Sequence, residues 1–337
     1  MEAGRLFELR RRTFDTPEFR GIEFIEVEAK TVINHVPGNM PFNWTINPYR
    51  GCSHACVACF ARPTHIYLDM NAGRDFESKI VVKVNAPEVL RRQLAAKRWK
   101  GEHIALGTNT DPYQRAEGRY ALMRGIIEAM IEYRNPFSIL TRGPLLLRDL
   151  DLLTEAARVT EVSTAFSIPT LDEDAWRATE PGSPNPRARM DAVATLNRAG
   201  IPCGVMVAPL LPGITDDPAG IRTVVEAAIQ AGATHVSPIL LHLRPGVREQ
   251  FMDWLAGAHP DLVPRYEEMY RTSAYSTPRN RKETARKVGS AVRKAGGLRP
   301  RPAIAERFLR GSEPPAQRTR SAPRTRQLSL LQDRNRA

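Results

Sequence analysis

The chain has 337 residues, 42% of them hydrophobic, and carries a formal net charge of +12. This length and composition suffice for the buried core of one large domain or of two small ones. No apolar run approaches the roughly 20 residues of a membrane-spanning helix, and residues 1–15 lack the apolar stretch of a secretion signal. These features disfavour secreted and membrane proteins and predict a cytoplasmic protein without membrane contact.

From residue 44 onward, short apolar runs typical of β-strands alternate with longer amphipathic runs typical of helices. The strands are predicted at 44–48, 103–107, 137–141, 162–168, 204–208 and 236–241. The helices are predicted between them, at 87–99, 119–134, 146–158, 186–199 and 218–231. This alternation predicts an α/β fold, a partial (β/α)6 barrel of the TIM type, whose active site lies at the carboxyl ends of the strands.

The chain divides into four predicted parts. Residues 1–43 form an N-terminal lead and residues 44–245 the partial barrel. Residues 246–310 are predicted as a basic helical extension, in which apolar side chains at helical spacing indicate a packing face rather than a ligand site. Residues 311–337 are rich in Pro, Arg, Ser and Gln without apolar periodicity, and this composition predicts a disordered tail.

Three of the four cysteines, Cys52, Cys56 and Cys59, lie within eight residues. In a reducing compartment such a cluster more often binds metal or reacts than forms disulfides. Three thiolates can hold a four-iron cluster and leave one iron open to a small molecule. A structural zinc site would need a fourth ligand, which His54 or His65 could supply. Both kinds of site are compatible with this spacing.

Further motifs follow the predicted strands along the chain. They are GTNTDPYQ from Gly107, TRGPLLLRD from Thr141, FSIPTLDED from Phe166 and EPGSPNPRARMDAVATLNRAGIPCGVMVAPLLPGITD from Glu180. Together with NPYRGC and the C-x3-C-x2-C spacing of the cysteine loop, they resemble the spore photoproduct lyase-like branch of the radical S-adenosylmethionine (radical SAM) superfamily. The resemblance covers about residues 30–216, more than half of the chain.

The resemblance implies that Cys52, Cys56 and Cys59 hold a [4Fe-4S] cluster whose open iron binds S-adenosylmethionine. One electron, supplied by a reductant protein such as flavodoxin or ferredoxin, would cleave this cofactor to a 5′-deoxyadenosyl radical that abstracts hydrogen from a substrate. The substrate is unknown, with nucleic acid as one candidate. The alternative function is that of a non-enzymatic protein that binds zinc or an iron-sulfur cluster and contacts nucleic acid.

The resemblance also implies roles for side chains beyond the cysteines. Thr110 and Arg142 match the residues that hold the methionyl carboxylate, and Ser167 matches a serine that contacts the ribose. Ordinary structural roles compete with each of these: a helix cap, a surface ion pair and a turn hydroxyl. Asp111, Tyr113 and Gln114 are predicted to point into the mouth of the barrel and contact the substrate, with Asp111 and Tyr113 as catalytic residues, whereas a simple turn at Asp111 is the alternative.

Two positions depart from the family pattern. Ala58 replaces an aromatic residue that usually packs near the adenine, so this contact would fall to backbone groups or to Phe60. Thr108 stands where the spore photoproduct lyases use a cysteine as hydrogen-atom donor, and an alcohol O–H bond is too strong for that role. We therefore predict no repair of thymine dimers by the lyase route. Cys203 precedes the fifth predicted strand and is predicted to be a buried structural thiol.

Positive charge is concentrated near the C-terminus. Residues 279–301 carry nine basic side chains against Glu283 alone. This excess favours sequence-independent contact with nucleic-acid phosphates over a merely solvated helix face. Residues 327–331, QLSLL, resemble the short peptides that bind bacterial sliding clamps, although a stub that docks on the protein itself is the simpler interpretation.

Overall fold

The computed structural model describes residues 10–38 and 40–298. Two predictions lie wholly outside these residues, the disordered tail at 311–337 and the clamp-binding peptide at 327–331. Three lie partly outside them: the N-terminal lead at 1–43, the helical extension at 246–310 and the basic run at 279–301. Within the described residues, no helix combines the length and the apolar character needed to cross a membrane.

Strands and α-helices alternate through most of the described chain. The strands are β1 (Arg10–Thr13), β2 (Glu23–Val27), β3 (Ile33–His35), β4 (Trp44–Ile46), β5 (Tyr49–Arg50), β6 (Lys79–Lys83), β7 (Ile104–Leu106), β8 (Phe137–Thr141), β9 (Val162–Ser167), β10 (Cys203–Leu210) and β11 (Val236–Leu240). The α-helices are α1 (Arg74–Ser78), α2 (Ala86–Leu94), α3 (Arg115–Tyr120), α4 (Leu122–Glu132), α5 (Leu150–Val159), α6 (Glu173–Thr179), α7 (Pro186–Arg198), α8 (Pro218–Gln230), α9 (Arg248–Ala258), α10 (Val263–Met269) and α11 (Pro278–Lys294).

Six parallel strands form the larger sheet, in the order β11-β10-β9-β8-β7-β4, and β3 extends it antiparallel to β4. Helices connect successive parallel strands, so the carboxyl ends of all six strands lie at one end of the sheet. The sheet does not close, because β11 and β3 are its two edges. The predicted α/β fold with a partial barrel of the TIM type is confirmed.

A second sheet, β1-β2-β6-β5, was not predicted. Residues 1–43, predicted as a lead without strands, contribute β1, β2 and β3 within their described part. Strand β1 consists of Arg-Arg-Arg-Thr and is exposed throughout, so it shows no apolar pattern from which a strand could be predicted. Four aromatic rings support this sheet, with centroids 5.4 to 5.7 Å apart: Phe14, Phe19, Phe24 and Tyr120.

Two predicted helices are interrupted in the structure. The helix predicted at 119–134 breaks at Ala121, whose φ of +49° lies in the left-handed region, and so α3 and α4 are separate. The buried carboxylate of Glu117 accepts from the Met123 backbone N–H at 3.1 Å and satisfies a free donor at the start of α4. The helix predicted at 146–158 begins as a 3₁₀ turn, Pro144–Asp149, before α5.

The C-terminal helices cover one side of the barrel. Helices α9 and α10 bury Phe251 and Tyr266, whose ring centroids lie 5.3 Å apart, beside Tyr270. This is the packing face predicted from the spacing of apolar residues. Helix α11 buries Thr284, Val288 and Ala291 against α8 and β11 and turns its basic side chains to the surface.

Gly107 allows β7 and β8 to approach closely where they reach the candidate site. Its φ is +81°, and an added Cβ would collide with the Leu140 carbonyl oxygen. Gly200 has the same backbone conformation, with φ +82°, but nothing lies within 4 Å of an added Cβ.

We expect Gly200→Ala to lower the free energy of unfolding by about 1–2 kcal/mol, the ordinary cost of a left-handed alanine. Gly107→Ala should lose about 1–3 kcal/mol more, because β8 must also move. Urea unfolding of both variants measures the difference, and equal losses would contradict the close approach of the two strands.

Candidate active site

The cysteine loop, residues 51–60, follows β5 and is anchored by hydrogen bonds to distant segments. Cys52 N donates to Phe76 O at 2.9 Å, and Val57 N donates to Thr179 O at 3.0 Å. Gln114 holds the start of the loop, since its Nε2 donates to Gly51 O at 2.8 Å and its Oε1 accepts from Ser53 N at 3.1 Å. The loop therefore has a fixed conformation without regular secondary structure.

Arg62 holds the backbone of Cys56, the second cysteine of the loop. This role of Arg62 was not predicted from the sequence. Its guanidinium is 3% exposed and donates from Nε and Nη2 to Cys56 O, at 3.2 and 2.9 Å. It also forms an ion pair with Glu77 and lies 5.4 Å from the centroid of the Phe76 ring. The carbonyl of Cys56 is thus held by a charged, buried donor.

Cys52, Cys56 and Cys59 line one cavity at the carboxyl ends of the barrel strands. Burial raises the pKa of all three thiols, and that of Cys56 rises to about 12. A thiolate at these positions therefore needs a cation to compensate its charge. The buried Cys52 and Cys56 and the half-buried Cys59 face one cavity and fit a group with several metal ions, in which each ion takes one thiolate.

The described side chains are not arranged as a preformed site for a metal ion. Across residues 10–38 and 40–298, no group of three or more His, Cys, Asp or Glu side chains is placed to hold a metal ion, and this applies to the three cysteines as well. His54 instead faces Asp111, with Nδ1 and Oδ2 3.4 Å apart, and His65 Nε2 contacts Lys79 O at 2.9 Å. Neither histidine completes a Cys3His arrangement in the described chain.

Side chains that follow successive strands form the rest of the cavity wall. Thr110 follows β7, Arg142 follows β8 and Ser167 ends β9, and all three line the cavity; that they bind the cofactor stays a prediction. Thr110 Oγ1 donates to Tyr49 O at 2.7 Å, and Ser167 Oγ donates to Ala208 O at 2.7 Å. Both hydroxyls therefore offer only lone pairs to a ligand. Thr110 is better suited to an amino group than to the predicted carboxylate.

Asp111 joins the ends of β7 and β8. Its Oδ1 accepts from Thr141 Oγ1 at 2.5 Å, and its Oδ2 accepts from the Arg142 backbone N–H at 2.6 Å. Burial alone would raise the pKa of Asp111, but the nearby His54 and these hydrogen bonds lower it to about 2. Asp111 lines the cavity as an ionised, fully engaged carboxylate, which suits positioning of Arg142 better than proton transfer.

Arg142 belongs to an ionic bridge, Arg142–Glu180–Arg189, that was not predicted from the sequence. Its Nε donates to Glu180 Oε1 at 2.8 Å, and Glu180 Oε2 accepts from Arg189 Nη1 at 2.7 Å. Burial raises the pKa of Glu180, but the two arginines outweigh it and lower the pKa to about 2. Within the described residues, Arg142 Nη1 has no hydrogen-bond partner and can bind an anion in the cavity. The sequence signal for this bridge was the presence of Glu180 and Arg189, an acidic and a basic residue, in the motif that begins at Glu180.

Tyr113 does not reach the cavity, in contrast to the prediction that it points into the barrel mouth. Its backbone N–H donates to Asp111 Oδ1 at 2.9 Å, which is the turn given as the alternative, and the chain reverses there. The Tyr113 hydroxyl then donates to Asp149 Oδ2 at 3.0 Å, in the core beneath the site.

Of the four remaining positions considered in the sequence, two line the cavity and two do not. Phe60 and Ala58 line the cavity, and Phe60 is 50% exposed. Thr108 does not line it, and its Oγ1 forms a 2.5 Å hydrogen bond with Thr45 Oγ1. Cys203 is buried at the start of β10, away from the cavity, as the sequence predicts.

Cysteines on one loop and polar side chains at the ends of parallel strands meet in one cavity of a partial barrel. A family model of the radical SAM superfamily matches residues 46–221. An uncharacterized protein of Mycobacterium tuberculosis is 48% identical over 303 residues, which cover 88% of this chain and 89% of that protein. The chain belongs to the radical SAM superfamily.

Solved structures share the fold. Spore photoproduct lyase complexed with dinucleoside spore photoproduct has a TM-score of 0.58 at 13% identity, covering 83% of each chain. A variant of that lyase with bound AdoMet has a TM-score of 0.51 at 14% identity, covering 72% of this chain and 79% of the other. Membership of the superfamily indicates an enzyme and implies a [4Fe-4S] cluster and S-adenosylmethionine as cofactors.

The ionic bridge gives a pH-dependent prediction. Glu180→Gln removes the carboxylate that pairs with the buried Arg189 and the half-buried Arg142, and should lower the free energy of unfolding by about 3 kcal/mol at neutral pH. The folded-state pKa of Glu180 is lowered from 4.5 to about 2. Its stabilisation is therefore complete above about pH 4.5 and lost as the pH falls towards 2, so the difference between the two proteins should shrink over that range.

Urea unfolding at several pH values measures this difference. Glu173→Gln is the control, because Glu173 pairs with Arg177 at the surface and its side chain is 57% exposed. The control should change stability by no more than about 0.5 kcal/mol. A constant difference for Glu180→Gln down to pH 2 would contradict the bridge.

Proposed function

We propose that the protein holds a [4Fe-4S] cluster on Cys52, Cys56 and Cys59, binds S-adenosylmethionine in the cavity, and abstracts hydrogen from a substrate there. The observation that carries this proposal is that three cysteines and Arg142 line the same cavity at the carboxyl ends of the strands. Superfamily membership supplies the cofactors that such a donor set fits.

Different cavity residues would bind different parts of S-adenosylmethionine. Arg142, held by Glu180 on one side, would direct its free Nη1 to the methionyl carboxylate through a charge-assisted hydrogen bond. Thr110 would accept a hydrogen bond from the methionyl amino group, and Ser167 would accept one from a ribose hydroxyl. Phe60, which lines the cavity, would pack on the adenine in the role that Ala58 is too small to perform.

When bound, the reduced cluster would supply the electron that splits S-adenosylmethionine and leaves a 5′-deoxyadenosyl radical. The chain would protect this chemistry from water. Apolar side chains in or directly after three strands, β8, β10 and β11, line the cavity: Leu140, Met206, Leu240 and Leu241. A reductant protein such as flavodoxin or ferredoxin would deliver the electron, and nucleic acid stays a candidate substrate.

The test begins with anaerobic purification of the protein and of a variant with Cys52, Cys56 and Cys59 changed to Ala. The natural protein should carry about four irons with acid-labile sulfide. After reduction it should convert S-adenosylmethionine to 5′-deoxyadenosine, measured by chromatography. The triple variant should lose both iron and cleavage, since no thiolate remains for the cluster.

Cys203→Ala is the matched control, because it removes a buried thiol that does not line the cavity. It should keep its iron and its cleavage activity. Stoichiometric zinc without sulfide in the natural protein would overturn the proposal and support the zinc-binding alternative.

A further inference from the structure

An aromatic and basic surface borders the cavity where β11 ends. His242 lines the cavity wall and pairs with Tyr275 through an isolated β-bridge, with their ring centroids 4.6 Å apart. The Arg244 guanidinium lies 5.7 Å from the Tyr275 ring centroid and donates from Nη2 to the Tyr275 hydroxyl at 2.5 Å. Burial, and then the charges of Arg244 and Arg281, lower the pKa of His242. Arg281 lies in the first two turns of α11, which begins at Pro278, shortly after Tyr275 in the chain. We call His242, Arg244, Tyr275 and Arg281 the cavity rim.

The cavity rim is accessible and carries unbalanced positive charge. Tyr275 is 37% exposed, and Arg244 and Arg281 are both exposed. In the part of the chain that the structure describes, neither arginine forms an ion pair with an acidic side chain. Arg281 lies with Arg279 and Lys282 in the first two turns of α11, so the cavity rim adjoins the basic surface of this helix.

The chemistry of these side chains selects a polyanion with planar groups. An exposed aromatic ring stacks on a nucleobase regardless of its sequence, and arginines beside it bind phosphates. A base that is paired inside a duplex cannot enter a cavity walled by strand ends, so it must be unstacked or belong to a single strand. Charge complementarity and the open Tyr275 ring therefore favour a nucleic-acid strand over an acidic protein surface.

We propose that the cavity rim binds a single strand of nucleic acid, with one base stacked on Tyr275 and phosphates held by Arg244 and Arg281, so that the strand presents a nucleotide to the cavity. This inference rests on the proposed function, because hydrogen abstraction would take place in that cavity. It assigns the substrate class and the residues that receive it.

The test measures binding of a short fluorescein-labelled oligothymidylate, and of the matching RNA strand, to the full chain by fluorescence anisotropy. Tyr275→Ala should raise the Kd roughly tenfold, since it removes one stacking contact. Tyr275→Phe keeps the ring and should bind nearly as the natural protein does. Tyr133→Ala is the control: Tyr133 is equally exposed at 37% but lies just before β8, at the opposite end of the barrel.

Phosphate contact is tested by the dependence of the Kd on salt. Arg244→Ala and Arg281→Ala should each reduce the slope of log Kd against log salt concentration by about 0.7. Arg198→Ala removes an exposed charge at the end of α7, just before β10 and away from the cavity, and should leave the slope unchanged. Basic residues beyond 298 are the same in all variants, so the differences report on the cavity rim alone.

Stacking is isolated by an oligonucleotide with one abasic position. The natural protein should bind it more weakly than the complete strand, and Tyr275→Ala should show no such difference, because the ring and the base act as one pair. Unchanged binding by Tyr275→Ala and both arginine variants, failure of both DNA and RNA strands to bind, or tighter binding of a duplex would overturn the inference. If the natural protein still cleaves S-adenosylmethionine in that case, the proposed function stands and only the inference about the cavity rim falls. Binding that depends on the cavity rim, without cleavage of S-adenosylmethionine, would support nucleic-acid binding and overturn the proposed function.

Discussion

The short segment 179–183 is the constraint on which the site depends. Its backbone holds the cysteine loop, since Thr179 O accepts from Val57 N and Gly182 N donates to His54 O, both at 3.0 Å. Its one carboxylate, Glu180, binds Arg142 from the end of β8. An added Cβ at Gly182 would collide with the Ser53 carbonyl oxygen, so the two loops lie in direct backbone contact. The cysteine loop and the Arg142 guanidinium are therefore both positioned by segment 179–183.

This dependence explains why the bridge is charged although it is buried. An ion pair in the interior seldom adds stability over an apolar replacement of the same volume. It does impose direction, because Glu180 accepts from Arg142 on one side and from Arg189 on the other. Arg189 also donates to the Ser167 carbonyl at 2.9 Å and so includes the end of β9 in the network. The result is a cavity wall whose polar groups have fixed orientations before any ligand arrives.

Sequence patterns predicted the barrel because local periodicity encodes it. Strand β8 has the bounds predicted from its apolar residues, and the cysteine spacing located the cavity. Tyr113 could not be placed, because the turn at Asp111 reverses the chain and its hydroxyl reaches Asp149 instead. The pairing of His242 with Tyr275 was equally hidden, since it joins residues far apart in the chain and outside any periodic pattern.

The positions of Thr108 and Cys203 bear on how a reaction in this cavity could end. With three cysteines assigned to the cluster and Cys203 in the core, no thiol hydrogen is left for a substrate radical. Such a radical would either recover hydrogen from 5′-deoxyadenosine, which regenerates the cofactor, or lose an electron and consume one cofactor per product. The molar ratio of 5′-deoxyadenosine to product therefore distinguishes an isomerisation from an oxidation. The proposed function is compatible with either outcome, because the cavity would provide the radical and the substrate would decide its fate.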